Sequence, residues 1–510
     1  MSLEPRAAYT SDELARLYPP PLELQQVQIL MRHGERTPVS NRFAESTGLP
    51  EFWPYCSQAA QMTSLVLDPA SSTWTALAWR RHLETFSSPT NQTPVTAAAA
   101  NNNSSSNMCE LGQLTDKGRA TTTALGARLR RLYVDQLGFL PATLASADGL
   151  YLRATPMPRA LESMQQALHG LYPPATARAP DLAPLTVHTR HWADDTLLPN
   201  TANCTRFRRM MRAFGRRAAD RWDASPEMDR INAKLQRYMP PAADSADPGA
   251  KTRIGVASHP ALVGIMDTVA ATAAHDGAAT KLPREFYDAQ IRADSVRIVV
   301  DEWFAGFRES SEYRTLGIGG LLADMTERMV GSAEGVAPHS SSSSSTKTPL
   351  RFGLSGCHDT TLAATVISLG GDGPDGMSWP PFTSHVAVEL LRDTRVVASP
   401  PLPSSSSSSS WVPRMLRGAQ TIGRRPTYEL TSAERERLRG YYVRVRYNDE
   451  PVRIPGCRPA GKHYEDDETL CTLTAFKSIV DRITPTDWKA QCGANMDKPT
   501  MPSKPEPAGY

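Results

Sequence analysis

The chain has 510 residues, 40% hydrophobic and 21% charged, the composition of a globular protein that can bury a large core. Its 56 Lys and Arg against 53 Asp and Glu leave a net charge of +3, too balanced for the broad positive field of a nucleic-acid binder. No apolar run approaches the roughly 18 residues of a membrane span, so neither nucleic acid nor an integral membrane segment is expected.

Residues 1–21 carry Glu4, Asp12 and Glu13 and no apolar leader core. The expectation is an intracellular protein, or a secreted one if a leader is missing. Seven cysteines are too few for a disulfide scaffold, and their odd number leaves at least one thiol free. Residues 26–31 read as a first strand, with Val27, Ile29 and Met31 on one face. Residues 115–136 read as a helix with Thr115 as N-cap and Gly138 just past its end. Further strands are expected at 149–152 and 350–354, each followed by a helical pattern, at 159–169 and 360–369. Strand then helix, repeated, predicts an α/β sheet with helices on its faces.

Between about 190 and 335 the pattern is helical and polar, with one possible strand at 254–257, and reads as a helical cap. Arginines 206, 208, 209, 212, 216, 217 and 221 crowd one helix in it, as a salt-bridged face or as a patch for an anionic partner. Segments 87–107, 332–349 and 400–411, rich in Asn or Ser, and the tail 498–510 are expected to be disordered. Residues 20–495, with those insertions, are expected to form one domain.

The chemistry concentrates at three strand ends. After the first strand come Arg32, His33, Gly34, Glu35 and Arg36. Guanidinium forks match phosphate oxygens, and two of them beside one histidine disfavour its imidazolium form. Gly34, without a Cβ, would let the backbone approach a bound anion. After the second strand stands Arg153. After the third stand His358 and Asp359, at a helix N-terminus suited to an anion. His275 and the His259-Pro260 pair read as structural, and Cys357 as a buried packing residue.

Arg32-His33-Gly34-x-Arg36-Thr37-Pro38 with the later His358-Asp359 resembles the histidine acid phosphatases, branch 2 of the histidine phosphatase superfamily. Gly112-Gln-Leu-Thr115-Asp-Lys-Gly118, Arg153-Ala-Thr155 and the run from Val445 to Cys457 extend the likeness. The opening before and after the motif is most similar to the lysophosphatidic acid phosphatase-like subgroup. The resemblance implies a three-layer α/β/α sandwich, phosphoglycerate mutase-like, with a helical cap. It also implies a Cys457–Cys471 disulfide.

By the same resemblance His33 is the nucleophile that becomes phosphohistidine. Arg32, Arg36, Arg153 and His358 bind the phosphoryl oxygens, and Asp359 protonates the leaving alcohol. The expected activity is hydrolysis of a small-molecule phosphate monoester at acid pH, without metal or cofactor. A phytase-like or lysophosphatidate-specific enzyme, a phosphoryl-transfer mutase and an inactive phosphate-binding module are the alternatives. The oligomeric state cannot be read from the sequence.

Overall fold

The computed structural model describes residues 3–87, 93–100, 107–242, 247, 249–335, 349–371, 376–397 and 422–510. Among these the strands in chain order are β1 (Leu22–Arg32), β2 (Gln61–Asp68), β3 (Thr73–Arg80), β4 (Glu84–Phe86), β5 (Pro94–Thr96), β6 (Leu150–Ala154) and β7 (Val187–His188). They continue with β8 (Phe352–Cys357), β9 (His385–Asp393), β10 (Tyr441–Tyr447), β11 (Glu450–Pro451), β12 (His463–Tyr464) and β13 (Asp467–Thr472). Nine of them form one sheet in the order β12-β13-β10-β9-β1-β8-β6-β7, with β11 on β10.

β1 sits inside this sheet. It runs parallel to β8, which pairs in parallel with β6, while β9 lies antiparallel on its other side. The register sets Arg32 beside Cys357 and Ala154 beside Gly356. The three chains that leave β1, β6 and β8 therefore emerge together at one sheet edge.

The alternation along β1 builds two cores. Val27, Ile29 and Met31 pack with Leu125, Leu129 and Leu168 of the helices Asp116–Arg130 and Pro158–Leu171. Leu30 faces the opposite layer, with Leu362 of Asp359–Ser368 and Met325 of Gly320–Ala333. Gln26 and Gln28 are buried on that same side, where their Nε2 groups donate to the carbonyls of Leu350 and Met325. This is the expected three-layer sandwich.

The cap comprises the helices Thr205–Trp222, Pro226–Leu235, Leu262–Ala274 and Ala289–Glu309, gathered around Met228, Ile231, Ile265, Phe286 and Ile298. Its expected end near 335 is too late. Gly320–Ala333 packs on the sheet, because Leu321, Leu322 and Met325 face the strands. The expected strand at 254–257 is absent too. The backbone N–H groups of Ile254 and Val256 donate to Asn232 and Asp223 side chains instead of a ladder.

The tail 498–510, expected as disordered, is held by the body. Arg206 donates to the carbonyls of Lys498 and Pro499, Arg314 to those of Glu506 and Pro507, and the Gly456 N–H to Gly509 O. Buried guanidiniums need acceptors, and the tail backbone supplies them. The crowded arginine helix is salt-bridged as well, Arg206 to Glu312 and Arg217 to Glu309. Part of 87–107 is described: residues 94–96 form β5, followed by the helical turn Ala97–Ala100. The segment 400–411 lies outside the described residues, as does most of 332–349.

Disulfides join Cys457 to Cys471, Cys56 to Cys109 and Cys204 to Cys492, and Cys357 is a buried free thiol. The last two pairings had no signal in the sequence, because they depend on tertiary approach alone. Among the described residues no helix is long and apolar enough to cross a membrane.

Candidate active site

His33 follows β1, and its backbone N–H donates to Cys357 O at 3.1 Å. Its ring is buried, and Nδ1 lies 2.9 Å from Gly34 O. A carbonyl only accepts, so Nδ1 carries the proton of this bond and Nε2 keeps its lone pair. Burial, then Arg36, Arg32 and Arg159, push the imidazole well below its ordinary range. These effects favour the neutral, nucleophilic form of the ring.

Gly34 serves packing rather than anion approach. A Cβ there would meet Gly118 O at 2.3 Å, so the loop lies directly on the start of the helix Asp116–Arg130. The Gly34 N–H donates to Ser163 Oγ at 3.1 Å.

His358 and Asp359 meet His33 from β8. The two imidazoles lie 5.6 Å apart, centre to centre. His358 Nε2 is 3.0 Å from Thr155 Oγ1, and burial with Arg159 nearby lowers its pKa to about 3. Asp359 is ion-paired with Arg32 Nη2 at 2.8 Å and accepts from Trp379 Nε1 at 3.1 Å and from the Thr360 N–H at 2.8 Å. Burial alone would raise its pKa, but Arg32, Arg36, His358 and the Thr360 N–H outweigh it and hold the carboxyl below its usual value.

Arg36 spans to the cap, where Nη2 pairs with Asp267 Oδ1 at 2.7 Å. Asp267, on Leu262–Ala274, also accepts from the Val39 N–H. Arg32 lies over the Phe382 ring, 4.2 Å from its centre.

Arg153 is not part of this group. Its guanidinium is buried against Asp195 at 2.8 Å and Asp324 at 3.7 Å, on the sheet side shared with Arg328 and Arg190. The third arginine is Arg159, whose field acts on both His33 and His358. Burial and the neighbouring Arg36 lower its own pKa to about 10. The strand-end rule selected the wrong arginine, since Arg153 is held inside the fold while Arg159 stands in the first turn of Pro158–Leu171. A sequence signal existed: a cation in the first turn opposes the helix dipole, and a local rule broken without local compensation marks a functional position. Asp267 and Trp379 had no such signal, being brought in from distant elements.

The Nε–H groups of Arg32, Arg36 and Arg159 are buried without a protein partner. Unpaired buried donors are costly, and an oxyanion would satisfy them. Beside them opens a cavity of about 320 Å³ between cap and sheet, lined by Val263, Met266, Val269, Phe286, Ile291 and Trp303 among others. Among the described residues no three His, Cys, Asp or Glu side chains gather as metal ligands.

A histidine with an open nitrogen, ringed by guanidiniums and faced by a carboxyl, is a site suited to an oxyanion such as a phosphate. The sequence profile of the histidine phosphatase superfamily (branch 2) matches residues 23–249. A probable acid phosphatase of Schizosaccharomyces pombe is 34% identical over 479 residues, covering 93% of this chain and 95% of that protein. Lysophosphatidic acid phosphatase type 6 of Bos taurus is 25% identical, covering 73% of this chain and 74% of its own. Among solved structures, Hafnia alvei phytase in complex with myo-inositol hexakis sulphate shares the fold, with a TM-score of 0.52 at 14% identity over 93% of this chain and 99% of that one. The chain belongs to branch 2 of the histidine phosphatase superfamily, and it is a phosphatase of that family.

Proposed function

We propose that the protein hydrolyses phosphate monoesters through a phosphohistidine at His33. The observation that carries this is the Nδ1–H bond to Gly34 O, which leaves Nε2 of a neutral ring open amid Arg32, Arg36 and Arg159. The Nε2 lone pair attacks phosphorus, the P–N bond forms and the P–O bond to the alcohol breaks, with Asp359 giving its proton to the departing oxygen. Water then attacks the phosphohistidine, loses a proton to Asp359 and releases phosphate from nitrogen. The three guanidiniums stabilise the phosphoryl oxygens, with His358 alongside. His33→Ala tests the proposal: turnover of an aryl phosphate and covalent phosphate labelling should both vanish, and undiminished turnover would overturn it.

The cavity favours an ester whose alcohol carries an apolar tail. Val263, Met266, Val269, Phe286, Ile291 and Trp303 give its wall an aliphatic and aromatic stretch, alongside Arg292 and the guanidiniums of Arg32, Arg36 and Arg42, which are paired with Asp359 and Asp267. No arginine of the helix Thr205–Trp222 lines it. Each methylene buried is worth about 0.8 kcal/mol, roughly fourfold in kcat/KM. A series of n-alkyl phosphates of growing chain length should rise by up to that factor per carbon until the cavity is full. A flat series would sink this substrate class and leave the phosphatase intact.

The three disulfides support maturation in an oxidising compartment, the alternative in which the protein is secreted. No metal or cofactor enters the mechanism, so activity should survive chelators.

A further inference from the structure

The hairpin β2–β3 pairs only with itself, from Gln61 opposite Arg80 to Asp68 opposite Thr73. None of its residues is buried, yet its composition is that of a core. Leu65 is 69% exposed, Trp74 64% and Trp79 50%, with Met62, Leu67 and Leu77 also open. Cross-strand register puts Met62, Trp79 and Leu77 on one face and Leu65, Leu67 and Trp74 on the other. Patches of this kind mark interaction surfaces.

The ribbon is rooted at the mouth of the active site. The Arg81 N–H closes its base on Ala60 O at 2.8 Å, and the Arg81 guanidinium grips Glu110 and Gln113. The backbone carbonyls of those two residues accept from Thr37, the neighbour of Arg36. Among the described residues, nine of the twelve exposed large hydrophobic residues fall between Val39 and Leu111 in the chain, and exposed Val39 itself lines the cavity.

We propose that β2–β3 docks the enzyme on a lipid–water interface, with the cavity entrance turned to the lipid. Apolar side chains on both faces suit a fluid phase that can wrap a ribbon better than a partner surface that covers one side. Tryptophans favour the boundary between apolar and wet layers. Between residues 61 and 80 the sole acid is Asp68, whose carboxylate is engaged in the turn by Ala70 N–H and Ser71 Oγ. Exposed Arg80 and His82 lie at the root, with Arg81 between them, where they would meet phosphate headgroups. With its polar turn, the ribbon would lie along the surface rather than pierce it. The purpose of docking rests on the apolar-tailed substrate proposed above, but the binding is measured without substrate.

The full chain is mixed with phosphatidylcholine vesicles, with or without phosphatidylserine, and floated on a density gradient. Wild type should float, more so on the anionic vesicles. The triple variant Leu65→Ser, Trp74→Ser, Trp79→Ser should lose at least about tenfold in partitioning, with turnover of a soluble aryl phosphate unchanged within about twofold. A second variant replaces residues 62–79 by two glycines, using the existing Ala60–Arg81 closure, and should behave alike. Failure of wild type to float on either vesicle would overturn the proposal, as would equal flotation of both variants. A change of oligomeric mass in the variants, without loss of flotation, would assign the ribbon to self-association instead. Loss of soluble turnover in wild type would count against the phosphatase mechanism, not the docking.

Discussion

Arg153 and Arg159 stand six residues apart, and their fates separate the two uses of a buried guanidinium. Arg153 neutralises Asp195, and both side chains are almost wholly buried. Arg153→Ala should therefore cost about 3–5 kcal/mol by stranding a buried carboxylate, visible as a lower melting temperature, while the folded fraction keeps its kcat. Arg159→Ala should do the reverse, lowering kcat/KM by about two to three orders of magnitude with little change in melting, as expected for one electrostatic donor to a transition state. If the two variants exchange phenotypes, the third phosphate arginine is misassigned. The pH dependence follows from the same ring. Asp359 is held below its usual value by Arg32, Arg36 and His358, so the acid form needed for the leaving group is lost as pH rises through and above that value. The same cations and burial lower His33 well below its ordinary range and favour its neutral form. kcat/KM for an ester with a poor leaving group should fall steadily from about pH 4 to pH 8, and Asp359→Asn should flatten that limb.

Helices and strands were legible where their period was strong. Thr115 does cap its helix, accepting from the Gly118 N–H, and the strand at 350–354 appears as Phe352–Cys357, its start displaced by two residues and its end by three. The cap boundary was missed because Gly320–Ala333 has the same helical pattern as its neighbours, and what it packs against is not encoded in that pattern. Small residues that permit close approach were equally opaque. Asp116–Arg130 and Pro158–Leu171 touch through Gly126 and Gly170, where a Cβ would meet Ala167 O at 1.8 Å and Thr123 O at 2.0 Å. Gly126→Ala therefore has backbone against it, not a flexible side chain. It should destabilise by about 1–3 kcal/mol or more, measured by denaturant unfolding, although Ala is the better helix former.

At the scale of the molecule, residues 32 and 359 meet as an ion pair because β1 and β8 are parallel neighbours, and the cap closes over them through the Asp267–Arg36 pair. The Cys204–Cys492 bridge and the buried contacts of residues 498–510 tie the far end of the chain back to the cap helix Thr205–Trp222. The tail's Pro and Lys content suggested disorder, since composition records neither a backbone carbonyl's availability nor the buried arginine waiting for it. Local order along the chain was enough to establish the α/β class and to set His33 and the His358-Asp359 pair at strand ends, because strand period, turn chemistry and charge spacing are properties of adjacent residues; the role of His33 as nucleophile came from the family resemblance. The third arginine, the cap carboxylate on Arg36, the apolar cavity and two of the three disulfides emerged from the folded chain alone, because each joins residues that no local pattern relates and that meet only once the sheet and cap have packed.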